Sequence, residues 1–339
     1  MKILVIRRDN IGDLVCTTPL FTILRNSFPH AQIAALVNSY NSPVLNANPN
    51  LDAIYVYKKA KHRESGESKI SVWLSTLRLI ISLRQQKWDY AIIATTAYSE
   101  SALKFARAVK AHRIIAFAPN DANISDPVDL QLTDGLHETE AVFKLLTPFE
   151  INVKPGAVEV FNSSLPAFSS ITVSNNVNPI VGLHISARKP NQRWPIENFS
   201  KLAHELHNKS KTSFLLFWSP GPMDHPQHPG DDIKAKKMQS LCDDIPLTLF
   251  PTRSLNELIN GLSICDYIIC SDGGGMHLAA GLGKPIICLF GNSSAVQWHP
   301  WGVPYELLQK KSEVVADISV EEVLSANGSL LNKVNLNNN

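Results

Sequence analysis

The chain has 339 residues, 44% of them hydrophobic and 18% charged, with a formal net charge of +2. That length and apolar share suit a globular protein with room for two domains, and the near-neutral balance excludes a global basic field of the kind that binds nucleic acid. No apolar run reaches the ~18 residues needed to span a bilayer, and the apolar part of the opening MKILVIRRDN is too short for a signal peptide, so it reads as the first strand of a cytoplasmic protein.

In chain order, residues 2–6 form an apolar strand, 7–13 a polar turn, and 14–27 a helix ended by Pro29. Strands follow at 31–37 and 51–57, then a basic amphipathic helix at 73–88, short strands at 90–94 and 113–117, and a helix at 139–146. The stretch 148–179 changes character, with Pro155, Pro166 and a Ser/Asn-rich run, and reads as a connection between domains. The alternation then restarts, with strands at 180–185, 213–218, 247–250, 267–270 and 286–290. Helices at 195–208, 231–242, 255–262 and about 276–282 separate them, and a last helix at 320–326 precedes an Asn-rich tail. Strands alternating with helices imply an α/β chain of doubly wound parallel sheets: a first domain over 1–160, a linker over 161–178, a second domain over 179–327 and a polar tail over 328–339. Neither first turn carries G-x-G-x-x-G, which disfavours a dinucleotide dehydrogenase.

The five cysteines (Cys16, Cys242, Cys265, Cys270, Cys288) form no C-x-x-C pair and read as reduced core residues. His184, His225 and His228 lack a helical or strand spacing, so no metal site is expected.

Two glycine-containing turns carry the candidate chemistry. SDGGGMH, residues 271–277, lies between a strand and a helix, leaving the first helical N–H groups unpaired at the positive end of the dipole. Such a turn is built to hold an anion. A tight crossover would explain Gly273, Gly274 and Gly275 equally, but requires neither Asp272 at the strand end nor His277 in the first helical turn. In RRDNIGD, residues 7–13, Gly12 and Asp13 end the loop after the first strand. Asp13 is either an N-terminal cap, worth ~1 kcal/mol, or a carboxylate aimed into a crevice as a general base. The loop 184–195, HISARKPNQRWP, holds Arg188, Lys189 and Arg193 and is either solvated or a second anion contact. The run 58–69, with Lys58, Lys59, Lys61 and Arg63, is solvated surface or a site for an anionic ligand. In the adjacent helix, Trp73, Leu74, Leu77, Ile80 and Ile81 beside Arg78, Arg84 and Lys87 fit a buried face or one resting on an anionic membrane.

Three of these motifs, the 7–19 stretch, Gln192-Arg193-Trp194-Pro195 and the 264–291 unit, occur in an order that resembles glycosyltransferase family 9, the ADP-heptose:lipopolysaccharide heptosyltransferases. The resemblance implies a GT-B fold of two facing Rossmann-like domains, the first binding the acceptor and the second a nucleotide sugar. It implies that Asp13 deprotonates the acceptor hydroxyl, in a metal-independent inverting transfer that needs no cofactor. Donor contacts would come from Ser186, Arg188, Lys189, Gln192, Arg193, Asp224, Asp272, Gly273, Gly274, Gly275 and His277, with residues 249–253 beside the adenine. Gly12, Lys58, Lys59, Lys61 and Arg63 would serve an anionic lipid-linked oligosaccharide of the lipopolysaccharide core, reached by peripheral contact with the cytoplasmic face of the inner membrane. One departure stands out: the family commonly has lysine where this chain has Gln192, which carries no charge. Alternatives are a related transferase using another nucleotide sugar for capsule or glycoprotein, or a non-catalytic nucleotide-sugar-binding paralogue.

Overall fold

The computed structural model of the chain describes residues 1–58, 69–119, 124–162, 178–223 and 230–337. The chain divides into two compact units, Met1–Phe161 and Asn162–Asn339. The first runs β1 (Lys2–Ile6), α1 (Ile11–Ser27), β2 (Gln32–Asn38), β3 (Ala53–Tyr57), α2 (Lys69–Gln85), β4 (Tyr90–Ile93), α3 (Glu100–Val109), β5 (Arg113–Phe117), β6 (Asp126–Val128) and α4 (Glu138–Phe143). The second runs β7 (Ile180–His184), α5 (Ile196–Ser210), β8 (Ser213–Trp218), α6 (Asp232–Leu241), β9 (Leu247–Pro251), α7 (Leu255–Ile264), β10 (Tyr267–Ser271), α8 (Gly274–Gly281), β11 (Ile286–Phe290), α9 (Ala295–Trp298), β12 (Tyr305–Gln309) and α10 (Val320–Asn337).

Each unit holds one six-stranded sheet, ordered β3-β2-β1-β4-β5-β6 in the first and β12-β11-β10-β7-β8-β9 in the second. All neighbours pair in parallel. Counted within its own unit, each sheet therefore has the same 3-2-1-4-5-6 order, and each reverses direction of winding beside its first strand. The central strands β10 and β11 are buried along their whole length, which is why they read as unbroken apolar runs rather than alternating ones. Ile287 and Leu289 of β11 pack with Phe199, Leu202 and Phe214 in the core of the second unit.

Helix α1 begins three residues before the predicted start, so the expected polar turn closes at Asn10. It also contains Pro19, whose missing N–H leaves the Val15 carbonyl without its helical donor. The Thr18 hydroxyl donates to that carbonyl at 2.8 Å and accepts the Glu159 N–H at 2.8 Å. Helix α8 starts two residues early, at Gly274, because Gly273 takes φ +154°, a conformation other residues rarely adopt. Sequence reading omitted α3, although Ser99 caps it by accepting the Ala102 N–H and Leu103, Ala106 and Val109 bury one face. It also omitted β6, α9 and the half-buried edge strand β12.

The expected tail at 328–339 is corrected: α10 continues to Asn337, with Leu330 fully buried in the second core and Val334 packed against it. Asparagines on its exposed positions hid the helical spacing. All five cysteines are buried and unpaired, and burial pushes the Cys265 thiol up to about 12, which leaves it inert. Among the described residues no helix is long and apolar enough to cross a membrane.

Leu330→Ala is expected to cost about 2–5 kcal/mol in urea denaturation, the range for a buried leucine that leaves a cavity. An unchanged midpoint would return the segment to the solvated tail that the sequence suggested.

Candidate active site

In the first unit the winding reverses between β1 and β4, where open parallel sheets leave a crevice at their carboxyl ends. Arg7, the residue after β1, is 1% exposed there. Its guanidinium donates to the Ala94 carbonyl just past β4, to Glu138 Oε1 at 2.7 Å and to Asp13 Oδ1 at 3.0 Å. Asp9 Oδ2 lies 3.3 Å from Nε as an ion pair. Thr96 donates to Glu138 and Thr95 to Asp9, so the ends of β1 and β4 and the start of α4 are tied together. Asn38, the last residue of β2, donates to the Arg8 and Asp9 carbonyls at 3.1 and 3.0 Å and fixes the loop backbone. The Arg8 guanidinium sits 4.6 Å over the Tyr57 ring.

Asp13 occupies the third position of α1, with Asn10 as the N-cap residue. Its Oδ2 accepts the Asn10 N–H at 3.0 Å, one arm of a capping box. The two sequence readings of Asp13 are thus compatible, since one carboxylate completes the cap and meets Arg7. Burial pushes its carboxyl upward, but the Arg7 charge and the bonds from Asn10 outweigh this and hold it below the ordinary carboxylate value. A carboxylate has about four acceptor sites, so both oxygens keep room for another donor. Gly12 is buried beside it in the first turn of α1. Lys58 follows β3 at the same sheet edge; Lys59, Lys61 and Arg63 lie outside the described residues. Sequence reasoning missed Arg7 and Glu138, which are 131 residues apart and carry no local signature of their contact.

In the second unit the winding reverses between β7 and β10, and the two motif loops meet there. The register pairs His184 with Cys270, so the 185–195 loop and the 272–275 turn leave the sheet side by side. A side chain at Gly275 would place its first carbon 3.3 Å from His184 Nε2, which explains a glycine in the first turn of α8. Burial holds His184 down at about 4, despite the opposing Asp231 charge, so it is neutral at ordinary pH.

Gln192 is buried, and both its amide protons are committed: Nε2 donates to Asp272 Oδ2 and to Ser293 Oγ, each at 3.0 Å. Ser293 in turn donates to the same Asp272 oxygen at 2.6 Å. The Gln192 side chain thus braces Asp272. Arg193 is anchored by donation from Nε to the Ala187 carbonyl at 3.0 Å, and Trp194 by donation to the Ile318 carbonyl at 2.8 Å. Arg188 and Lys189 are exposed. Ser186 donates to Asp231 at 2.6 Å and accepts the Ser219 N–H at 2.9 Å, so its proton is already used. His277 is buried, edge-on to Trp298 at 5.9 Å. Asp224, His225 and His228 lie outside the described residues; the acids that fix this region are Asp231 and Asp232, the latter accepting from the Trp218 indole at 2.7 Å and the Gly221 N–H at 3.0 Å. Residues 249–253 end the edge strand β9, where Thr252 donates to the Trp218 carbonyl at 2.8 Å.

Comparison with known proteins adds the following. The family described as Glycosyltransferase family 9 (heptosyltransferase) matches residues 76–324, more than half of the chain. The lipopolysaccharide heptosyltransferase 2 of Salmonella typhimurium is 25% identical over 309 residues, covering 87% of this chain and 84% of its own. Among solved structures, a family 9 glycosyl transferase from Veillonella parvula superposes with a TM-score of 0.78 at 18% identity, over 98% of this chain and 97% of its own. Escherichia coli ADP-heptose lipopolysaccharide heptosyltransferase II gives 0.75 at 19% identity, over 99% of this chain and all of its own. The fold is accordingly GT-B.

Glu138→Ala should destabilise the first unit by about 3–5 kcal/mol in chemical denaturation, because it strands a buried guanidinium. Because Asp13 is held below its unfolded value, its share of stability is complete above about pH 5 and is lost as pH falls through the folded value. Asp13→Asn should therefore flatten the acid side of the stability profile relative to the native chain; parallel profiles would show that Arg7 does not hold the carboxylate ionised.

Proposed function

The chain belongs to glycosyltransferase family 9, and from that premise we propose that it moves a heptose from ADP-heptose to an anionic acceptor of the lipopolysaccharide core, inverting the anomeric centre without a metal ion. The observation that carries the reading is the Asp13 carboxylate, kept ionised by Arg7 at the winding reversal of the first unit. The heptosyltransferase relatives support the sugar and the acceptor class, and the Escherichia coli neighbour supports the donor.

In the proposed step the acceptor hydroxyl oxygen bonds to the anomeric carbon as that carbon's bond to the diphosphate oxygen breaks. The hydroxyl proton passes to Asp13, and the nucleoside diphosphate leaves with the electron pair. A single displacement inverts the configuration. A carboxylate with a depressed pKa is a weak base for a resting alcohol, so transfer occurs late, once attack has made the hydroxyl acidic. On the donor side, the opening N–H groups of α8, with Arg188, Lys189 and Arg193, neutralise the departing diphosphate. Asp272, held by Gln192 and Ser293, offers its remaining oxygen to sugar hydroxyls. Lys58, with Lys59, Lys61 and Arg63, attracts the anionic acceptor, and the enzyme works against the membrane face that carries it.

A second reading, binding without turnover, is favoured by Gln192, since no charge stands where the family commonly has lysine.

Purified protein given ADP-heptose and a heptose-deficient acceptor should release ADP. Asp13→Asn should lower kcat by about 10²–10⁴-fold, the usual contribution of a general base, with donor affinity unchanged. Because Asp13 is held below the ordinary carboxylate value, kcat should stay level between about pH 8 and pH 5. Donor binding with no ADP release under any acceptor would favour the second reading, and a larger thermal shift with UDP than with ADP would reassign the donor.

A further inference from the structure

Consecutive residues of a strand point to opposite faces of its sheet, and the chain leaving β1 carries two arginines in a row. Arg7 turns to the face where α1 and α4 pack, and acids close it. Arg8 turns to the other face, where Tyr57 and Phe105 belong to the core under α3. Its guanidinium carbon lies 4.6 Å from the centre of the Tyr57 ring and 5.2 Å from that of Phe105. Stacking of this kind holds a guanidinium by its faces and leaves its N–H edge to bond in the plane.

That edge is underused. Nη1 donates to the Ser101 carbonyl at 3.2 Å, and no carbonyl or carboxylate among the described residues accepts from Nε or Nη2. The acids beside Arg8 in the chain and beside its anchor are taken: Asp9 by Arg7 and Thr95, Glu100 by Tyr98, Lys104 and Arg107. Arg25 and Arg113, by contrast, are closed by Asp52 and Asp126.

Tyr57 adds a second open donor. It is 6% exposed, and burial raises its hydroxyl above the usual range against the opposing Arg8 charge, so it keeps its proton. That proton is shut from water and meets no acceptor among the described residues. Unmet buried donors cost a fold stability until something supplies the acceptor. A positive planar fork with a hydroxyl under it suits a group with negative charge and two or more oxygens, a carboxylate or a phosphate.

The position says which substrate carries that group. Tyr57 ends β3 and Arg8 follows β1, so both stand at the carboxyl edge of the first sheet, where Asp13 opens α1. The opening N–H groups of α8, which serve the donor diphosphate in the proposed step, belong to the second unit. An anion at Arg8 is therefore part of the other substrate.

We infer that Arg8, stacked over Tyr57 and Phe105, binds an acid group of the acceptor, a carboxylate or a phosphate, and so selects acceptors that carry one. The assignment to the acceptor rests on the proposed transferase function; the anion site itself does not.

The test compares the native chain with Arg8→Gln and Arg8→Lys, using ADP-heptose and the heptose-deficient acceptor before and after phosphatase treatment. Acceptor binding is also measured without donor, by titration calorimetry. Arg8→Gln should raise the acceptor KM and dissociation constant about tenfold or more, with kcat and the donor KM changed less than about twofold. Arg8→Lys keeps the charge but not the planar fork and should fall between the two. Salt should weaken acceptor binding less steeply in Arg8→Gln than in the native chain. If phosphatase treatment removes the difference between native and Arg8→Gln, the bound group is a phosphate; if the difference persists, it is a carboxylate. Equal acceptor binding by native and Arg8→Gln overturns the inference, as does a rise in the donor KM instead. So does a joint fall of urea midpoint and kcat in Arg8→Gln while Arg8→Lys binds acceptor as the native chain does, since the stack is then structural only. ADP release with acceptor binding indifferent to Arg8 would remove the site and leave the transferase; acceptor binding that depends on Arg8, without any ADP release, would do the reverse.

Discussion

A buried guanidinium organises the first unit. Arg7 cannot shed its charge, and placed where water is excluded it must be surrounded by acceptors or the fold pays a heavy desolvation penalty. Its partners come from four places in the chain: the loop at Asp9, the start of α1 at Asp13, the end of β4 at Ala94, and α4 at Glu138. Asp9 and Asp13 are near in sequence, but Ala94 and Glu138 lie 87 and 131 residues away, so satisfying Arg7 amounts to assembling the carboxyl edge of the sheet. The electrostatics run the other way as well. The charge that costs energy to bury is the charge that keeps Asp13 deprotonated against its own burial.

The second unit solves a related problem with neutral donors. Its sheet has the same order, and its two motif loops also leave at the reversal of winding. There the carboxylate of Asp272 is set by two neutral donors, Gln192 and Ser293, and the positive potential comes from unpaired backbone N–H groups and exposed cations on the loop. A neutral glutamine fits this arrangement because it supplies two protons in fixed directions. A lysine at the same place would bring charge but could not reproduce that planar fork.

Most of the strand and helix order was legible in the sequence, because parallel strands buried on both faces leave unbroken apolar runs and the helices between them keep their spacing. The losses have physical causes. Strand β12 is half-buried and lies at a sheet edge, so Tyr305-Glu306-Leu307-Leu308-Gln309 lacks the apolar density of β10 or β11. The end of α10 was hidden because Gly328 and six asparagines from 327 onward outweigh Leu330 and Val334 in composition, while burial depends on the latter two. Asp13 and the 272–277 turn could be picked out because glycine and acid at a strand end have a local signature. Arg7 with Glu138, and Gln192 with Ser293, could not, because each contact is closed by topology across a long separation. His277, picked out for its place in the first turn of α8, is buried and edge-on to Trp298, a contact that its local sequence does not signal.

Pro19 in α1 makes an attachment point out of an apparent defect. By withholding its N–H it frees a carbonyl for Thr18, and the fixed hydroxyl then grips the amide of Glu159, two residues before the unit ends at Phe161. Val158 and Val160 are buried on either side of that grip, and Thr22 adds a bond to the Glu159 carboxylate at 2.8 Å. Tension on the outgoing chain is thereby transmitted to the helix whose first turn holds Asp13, through a rigid strut rather than a slack loop.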